Sequence, residues 1–178
     1  MIFKSALTYA LLVTLSFASV AGWIDREGNP LPDSPDQKAI GEFGAWLLLT
    51  NNVEKALKNW GTPSETVYLD TEKNYKRNEF ISALIIFSGC TEDKNGHCNL
   101  AVKYKIIQPD GKIYADLPIQ EAWIGKASPG KALQMSIGYV KVRIEDHEAI
   151  GTYEILADVI DSNLDEKISL SSKFEILE

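Results

Sequence analysis

Cys90, Cys98, His97 and His147 are the side chains in this sequence suited to hold a soft metal or to move a proton near neutral pH. Their number and spacing exclude the commonest versions of that chemistry. Two histidines far apart in the chain and two cysteines build neither a multi-histidine zinc site nor a four-cysteine cluster. The cysteines lie eight positions apart, too far for a Cys-x-x-Cys redox pair, and nothing nearby lowers a thiol pKa. The chain has no G-x-S-x-G, no P-loop, no G-x-G-x-x-G between strand and helix, and no H-E-x-x-H, so no cofactor is expected. A Ser-His-Asp triad can be assembled on paper from either histidine, which is why such an assembly carries no weight.

Two acidic motifs remain. His147 sits within Glu145-Asp146-His147-Glu148, where it is either an ordinary exposed loop histidine, the better reading, or an acid–base or metal group beside carboxylates. Asp161-x-Asn163-x-Asp165 matches the first half of a calcium loop. Glu166 stands where that loop needs glycine, and Ser172 where it needs a bidentate glutamate, so an EF-hand is excluded. What is left is a solvated turn, with a looser calcium site between strands as the alternative. These residues point to binding rather than catalysis, and an enzyme is not expected.

The charge narrows the class of partner. Among 178 residues there are 25 acidic and 18 basic side chains, a net charge of −7. A nucleic-acid partner is not expected, because such binding rests on Lys and Arg displacing counterions. At 45% hydrophobic residues the chain can build a real core.

Residues 1–21 read as a signal peptide. Lys4 precedes an uncharged apolar run, Ala6 to Ala18, of h-region rather than membrane-spanning length. Ser19 and Ala21 place small residues at the −3 and −1 positions, so cleavage is expected after Ala21, with Gly22 as the alternative. An uncleaved anchor or a buried helix is the competing reading. The expected location is periplasmic or secreted, with no stable membrane insertion after cleavage. Removal of residues 1–21 takes away one basic and no acidic side chain, so the mature form is more acidic still.

Export changes the meaning of the cysteines. In an oxidising compartment Cys90 and Cys98 most simply pair with each other. The polar stretch Thr91 to His97 between them holds Asn95-Gly96, a strong turn signal. Its flanks, Phe80 to Phe87 and Asn99 to Ile107, are β-branched or alternate, so the bridge is expected to staple the mouth of a hairpin loop. Closing so short a loop stabilises by about 2.5 kcal/mol in the chain-entropy account.

Residues 22–34, with Pro30 and Pro32, are expected to be an extended leader, either a tether or an arm packed across the domain. A helical segment is expected over 35–61. Ser34-Pro35-Asp36-Gln37 has the shape of a capping box, and Ile40, Phe43 and Leu47 follow at helical spacing, which predicts a helix near 35–49. A second helix is predicted near 52–60, with Asn51 and Glu54 as its capping box, an apolar stripe of Val53, Ala56, Leu57 and Trp60, and a stop at Gly61 and Pro63. Trp46 and Trp60 read as core or lid aromatics. Residues 65–178 then read as strands: Glu65–Leu69, 80–90, 98–108, 112–115, 132–145 with a bend near Gly138, 152–160 and 167–176. The fold class is therefore mainly β, an antiparallel β-sandwich with one or two short N-terminal helices.

The stretch Gly151-Thr152-Tyr153-Glu154-Ile155 resembles the G-x-Y-x-hydrophobic opening of strand F in immunoglobulin-like domains. The last hairpin, ending Phe174-Glu175-Ile176, is similar to that of bacterial Ig-like and macroglobulin-type modules. The resemblance covers 65–178 and implies a sandwich in which Tyr153 makes a corner hydrogen bond to upstream backbone. Ile155 occupies the place of the strand-F cysteine, so the inter-sheet disulfide of antibody domains is not implied.

Two segments are candidates for contact with a partner. One is the disulfide-held loop, with Glu92, Asp93 and His97, which meets a partner at little ordering cost. The other is Asp116 to Gly130, read as a long connection without structure of its own that carries Trp123 and Ile124. Trp123 either contacts a ligand or folds back over an open sandwich edge, the second being the better reading. The leading functional expectation is an envelope accessory protein that presents loops to a protein. The alternatives are an acidic inhibitor or immunity-type protein against a basic hydrolase, and a carbohydrate-binding module.

Overall fold

A computed structural model describes residues 22–25, 27–60 and 71–178. The expected signal peptide, 1–21, and the strand expected at Glu65–Leu69 lie outside the described residues. In chain order the elements are β1 (Gln37–Ile40), β2 (Phe43–Thr50), α1 (Val53–Trp60), β3 (Asn74–Lys76), β4 (Phe80–Ser88), β5 (His97–Ile107), β6 (Ile113–Asp116), β7 (Gln120–Lys126), β8 (Gln134–Arg143), β9 (Gly151–Asp161) and β10 (Glu166–Leu177). They form two sheets, ordered β1-β2-β4-β8 and β3-β10-β9-β5-β6, with β7 also paired to β5. Every pairing is antiparallel except β3 with β10.

The core lies between the sheets. Leu47, Ile85 and Phe87 of the smaller sheet meet Leu100, Tyr104, Ile155 and Leu170 of the larger one, all of them buried. Alternation on β5 and β9 follows directly: one face enters this layer and the other meets solvent. The solvent face of the larger sheet carries exposed cross-strand ion pairs, Lys103 and Lys105 with Asp116 and Lys167 with Asp158. Pairs so exposed add little stability each.

The smaller sheet is covered on its outer face as well. Val53 and Ala56 of α1 pack with Leu48, Leu84, Ile86 and Met135, and Trp46, Trp60 and Tyr139 border this second cluster, partly buried. That is why Ala83 to Phe87 reads as a continuous apolar run: β4 is buried on both faces there. The helix near 52–60 is present, but its capping residue is Asn52, whose Oδ1 accepts the Lys55 N–H at 3.2 Å.

The helix expected near 35–49 is corrected to the β1–β2 hairpin. Ile40 pairs with Phe43 around a Gly41-Glu42 turn in which Gly41 adopts φ +56°, a conformation glycine takes without steric cost. Residues 37–50 thus supply two of the four strands of one sheet and are not a helical appendage to the sandwich. The leader is an arm packed across the domain. Trp23 Nε1 donates to the Lys38 carbonyl at 3.0 Å, and its ring lies over Gly44, where a Cβ would come within 3.2 Å.

The Asp116–Gly130 connection is also corrected, because it contains β6's last residue and the whole of β7. β6 and β7 run along the same edge of β5 as one return strand interrupted at Pro118, and the Leu117 N–H still donates to the Tyr104 carbonyl at 3.0 Å. The bend foreseen near Gly138 is a register shift of β8 against β4. Buried Ser136 fills it: its hydroxyl accepts the Ile85 N–H at 3.1 Å and donates to the Gly138 carbonyl at 2.7 Å. The tyrosine corner is present, with Tyr153 Oη donating to the Ala149 carbonyl at 2.8 Å. Its ring stacks on Phe174, with centroids 5.4 Å apart.

Candidate functional site

The end of the sandwich where β4 leaves and β5 begins gathers most of the residues singled out by the sequence. Cys90 and Cys98 form the expected disulfide, with Cα atoms 5.8 Å apart and both residues buried. The hairpin it was expected to staple is corrected: β4 and β5 lie in different sheets, so the bridge closes the mouth of a loop that crosses from one sheet to the other. Within the loop Asp93 organises the turn. Its Oδ1 accepts the N–H groups of Asn95 at 2.8 Å and His97 at 2.9 Å, its N–H donates to the His97 carbonyl at 2.8 Å, and the Gly96 N–H returns to its carbonyl at 3.0 Å. The His97 and Asn95 backbone donors hold the Asp93 carboxyl below its ordinary value. Asp93 is therefore the loop's organiser before it is a contact residue, while Glu92, Lys94, Asn95 and His97 stand exposed around it.

A second clamp comes from the far end of the chain. Asp161, fully buried, accepts the Thr91 N–H at 2.7 Å and the Asn163 N–H at 3.0 Å. Asn163 Nδ2 donates to the carbonyls of Thr91 at 2.8 Å and His97 at 2.9 Å. The motif that resembled half a calcium loop thus fastens the disulfide loop to the β9–β10 turn. Among the described residues no group of three or more His, Cys, Asp and Glu is placed to hold a metal ion. His147, with 78% of its side chain exposed, stands at the opposite end beside Glu145 at 3.7 Å.

The two candidate contact segments converge. β7 pairs with the start of β5, so His97 faces Lys126, Cys98 faces Gly125, Asn99 faces Ile124 and Leu100 faces Trp123. Ile124 is 58% exposed on the solvent face of this pair. Trp123 points the other way: it packs half-buried against the core, its ring 5.9 Å from that of Phe87, and closes the sandwich edge. Its Nε1 finds no acceptor among the described residues. Glu92 also lines a hollow of about 220 Å³ with Glu42, Gly89, Cys90, Ala127 and Ser128.

Sequence reasoning missed Asp161 and Asn163 as parts of this end. The signal was there in an Asp-x-Asn pair just past a strand, a pattern that ties backbone donors at turns.

No family model matches this chain, and no curated protein matches it. Solved structures with a similar arrangement include the alkylpurine DNA glycosylase AlkC of Pseudomonas fluorescens bound to DNA with an abasic-site analogue, at 17% identity and TM-score 0.39 over 60% of this chain. Others are the CARDB domain of a Pyrococcus furiosus protein in complex with di-metal ions, at 12% identity and TM-score 0.37 over 60% of this chain and 81% of that one, and a Niemann-Pick type C2 protein from the Japanese carpenter ant, at 15% identity and TM-score 0.38 over 74% and 89%. This chain spans 28% of the length of the glycosylase. Likeness at this level carries no statement about function.

Proposed function

We propose that this chain is an exported binding protein of the cell envelope that works without chemistry of its own and presents the disulfide-held end of its sandwich to a protein partner. One observation carries the reading: the loop Thr91–His97 is fixed by the Cys90–Cys98 bridge, by the Asp93 turn and by the Asp161–Asn163 clamp, yet its Glu92, Lys94, Asn95 and His97 side chains face solvent. A loop held by three devices with its side chains turned outward loses little conformational freedom on binding. No helix among the described residues is long and apolar enough to cross a membrane, and the disulfide suits an oxidising compartment.

The test is a pull-down from periplasmic extract and culture medium with the immobilised mature protein, set beside a Glu92→Ala/His97→Ala variant. A specific protein retained by the first and lost with the second supports the reading. No retained protein, or retention indifferent to the loop, overturns it.

A second reading, an inhibitor or immunity-type protein against a basic hydrolase, is favoured by the net charge of −7 and by the hollow that Glu42 and Glu92 help to line. It predicts inhibition of a cationic muramidase that weakens steeply with salt. The third reading, a carbohydrate-binding module with Trp123 as its contact, has less in its favour, because that ring is turned onto Phe87.

A further inference from the structure

Asn95-Gly96 is the one Asn-Gly pair in the chain, and it stands at the tip of the disulfide-held loop with Asn95 exposed. This dipeptide carries its own reaction. Glycine's lack of a Cβ lets its backbone nitrogen approach the preceding side-chain amide. After losing its proton to solvent base, the Gly96 nitrogen bonds to Cγ of Asn95 and Nδ2 leaves as ammonia, giving a cyclic imide. Water then opens the imide at either carbonyl and leaves an aspartyl or isoaspartyl residue at position 95. Nothing but water and mild base is required.

Each participating atom is held back in the closed loop. The Gly96 N–H, whose nitrogen is the nucleophile, donates to the Asp93 carbonyl at 3.0 Å. The leaving nitrogen, Asn95 Nδ2, donates to Asp93 Oδ2 at 3.3 Å, and the Asn95 N–H donates to Asp93 Oδ1 at 2.8 Å. The Gly96 carbonyl accepts the Ala127 N–H at 3.2 Å, which fixes the peptide on its far side to the neighbouring strand. The Asp93 carboxylate and its turn therefore engage the hydrogen-bonding groups of both the amide and the nitrogen that would attack it, inside a loop closed by the disulfide.

We propose that Asn95-Gly96 is a self-modification site, latent while Asp93 and the Cys90–Cys98 bridge hold the loop closed and released when the loop opens. Conversion replaces a neutral amide by a carboxylate beside Glu92 and Asp93, and in the isoaspartyl form adds a main-chain carbon that the Asp93 turn does not accommodate. The reaction stands independently of any partner, so its test reads covalent change and not binding.

The experiment incubates mature wild-type protein, oxidised or reduced with dithiothreitol, together with the Asp93→Ala, Asp93→Asn and Asn95→Gln variants in mildly alkaline buffer. Peptide mapping by mass spectrometry and isoaspartyl methyltransferase labelling follow position 95, with circular dichroism reporting the global fold. Reduced wild type and Asp93→Ala are expected to convert at least about tenfold faster than oxidised wild type, the factor that each ~1.4 kcal/mol of loop-opening free energy contributes. Asp93→Asn keeps an acceptor oxygen for the Asn95 and His97 N–H groups and should fall between them; Asn95→Gln should not convert. Equal rates in oxidised wild type, reduced wild type and Asp93→Ala would remove the protective role. Conversion at position 95 no faster than at the chain's other asparagines once the loop is open would remove the site.

Discussion

The carboxylate of Asp161 accepts the backbone N–H of Thr91 at 2.7 Å across a separation of 70 residues, and it does so fully buried. A buried carboxylate with its N–H donors in place holds two segments together, and its removal leaves the Thr91 and Asn163 N–H groups without their acceptor. Asp161→Ala is expected to cost about 2–4 kcal/mol in urea unfolding, and Asp161→Asn less, because one oxygen remains. If Asp161→Ala unfolds at the same urea concentration as wild type, the clamp is not what holds the loop.

Replacing both cysteines by serine reopens the mouth of the same loop. The expected loss is about 2–4 kcal/mol, read as a lower denaturant midpoint, and a free-thiol assay on denatured, unreduced wild-type protein should find no reactive thiol.

Gly89 is the tightest backbone approach in this end of the molecule. A Cβ there would lie 1.9 Å from the Glu42 carbonyl oxygen, and its φ of +67° disfavours any side chain. Gly89→Ala is expected to destabilise by about 3 kcal/mol or more, since a strained backbone and an overlap with main chain add together. Gly111→Ala, at a similarly positive φ but with nothing within 4 Å, separates the two terms and should cost less.

Tyr153→Phe keeps the stack on Phe174 and removes only the hydrogen bond to the Ala149 carbonyl. Its cost should be about 1 kcal/mol, the net contribution of one such bond, with the fold unchanged by circular dichroism.

The loop should also respond to acid. The Asp93 carboxyl titrates below its ordinary value of 3.8 because the charged form accepts the His97 and Asn95 N–H groups. A group whose folded pKa is depressed contributes its full stabilisation above the ordinary value and loses it as pH falls through the folded one. Amide exchange at Asn95 and His97, corrected for intrinsic rates, should therefore accelerate below pH 3.8 in wild type and show no such acid limb in Asp93→Asn. An unchanged acid limb in Asp93→Asn would assign the response to another group.

Much of this architecture is legible from local pattern. β5, β9 and β10 each have one wet and one dry face, so their side chains alternate, and Asn95-Gly96 marks the turn inside the disulfide loop. The same physics hid β2. Phe43, Ala45, Leu47 and Leu49 face the inter-sheet core while Leu48 lies beneath α1, so alternation is erased, and Ile40, Phe43 and Leu47 fall by coincidence at helical spacing. Gly41, which falls inside the predicted helix, is the turn of a hairpin. β7 was concealed by Pro118, which interrupts the ladder without ending the strand's course along β5.

At the candidate site the cysteine pairing follows from spacing and from the export that residues 1–21 lead one to expect. The partnership of Asp161 and Asn163 with Thr91 and His97 does not, because it joins residues that only the completed larger sheet brings together. Trp123 and Ile124 are neighbours in sequence with opposite fates, and which of them faces solvent depends on a register shift between Leu100 and Ala101 that no local pattern marks.

The last strand decides when the molecule can finish folding. β10 pairs along its length with β9, runs parallel to β3 over Glu175–Leu177, and donates from the Ser171 N–H to the Pro35 carbonyl at 2.7 Å. A chain that emerges N-terminus first, from a ribosome or across a membrane, therefore leaves Tyr75 and the arm near Pro35 waiting for partners about a hundred residues or more downstream, and sequence separations of that size slow assembly. The larger sheet closes only once β10 is available, and until then the inter-sheet faces of β4 and β5 lack the apolar cover that β10 helps to complete.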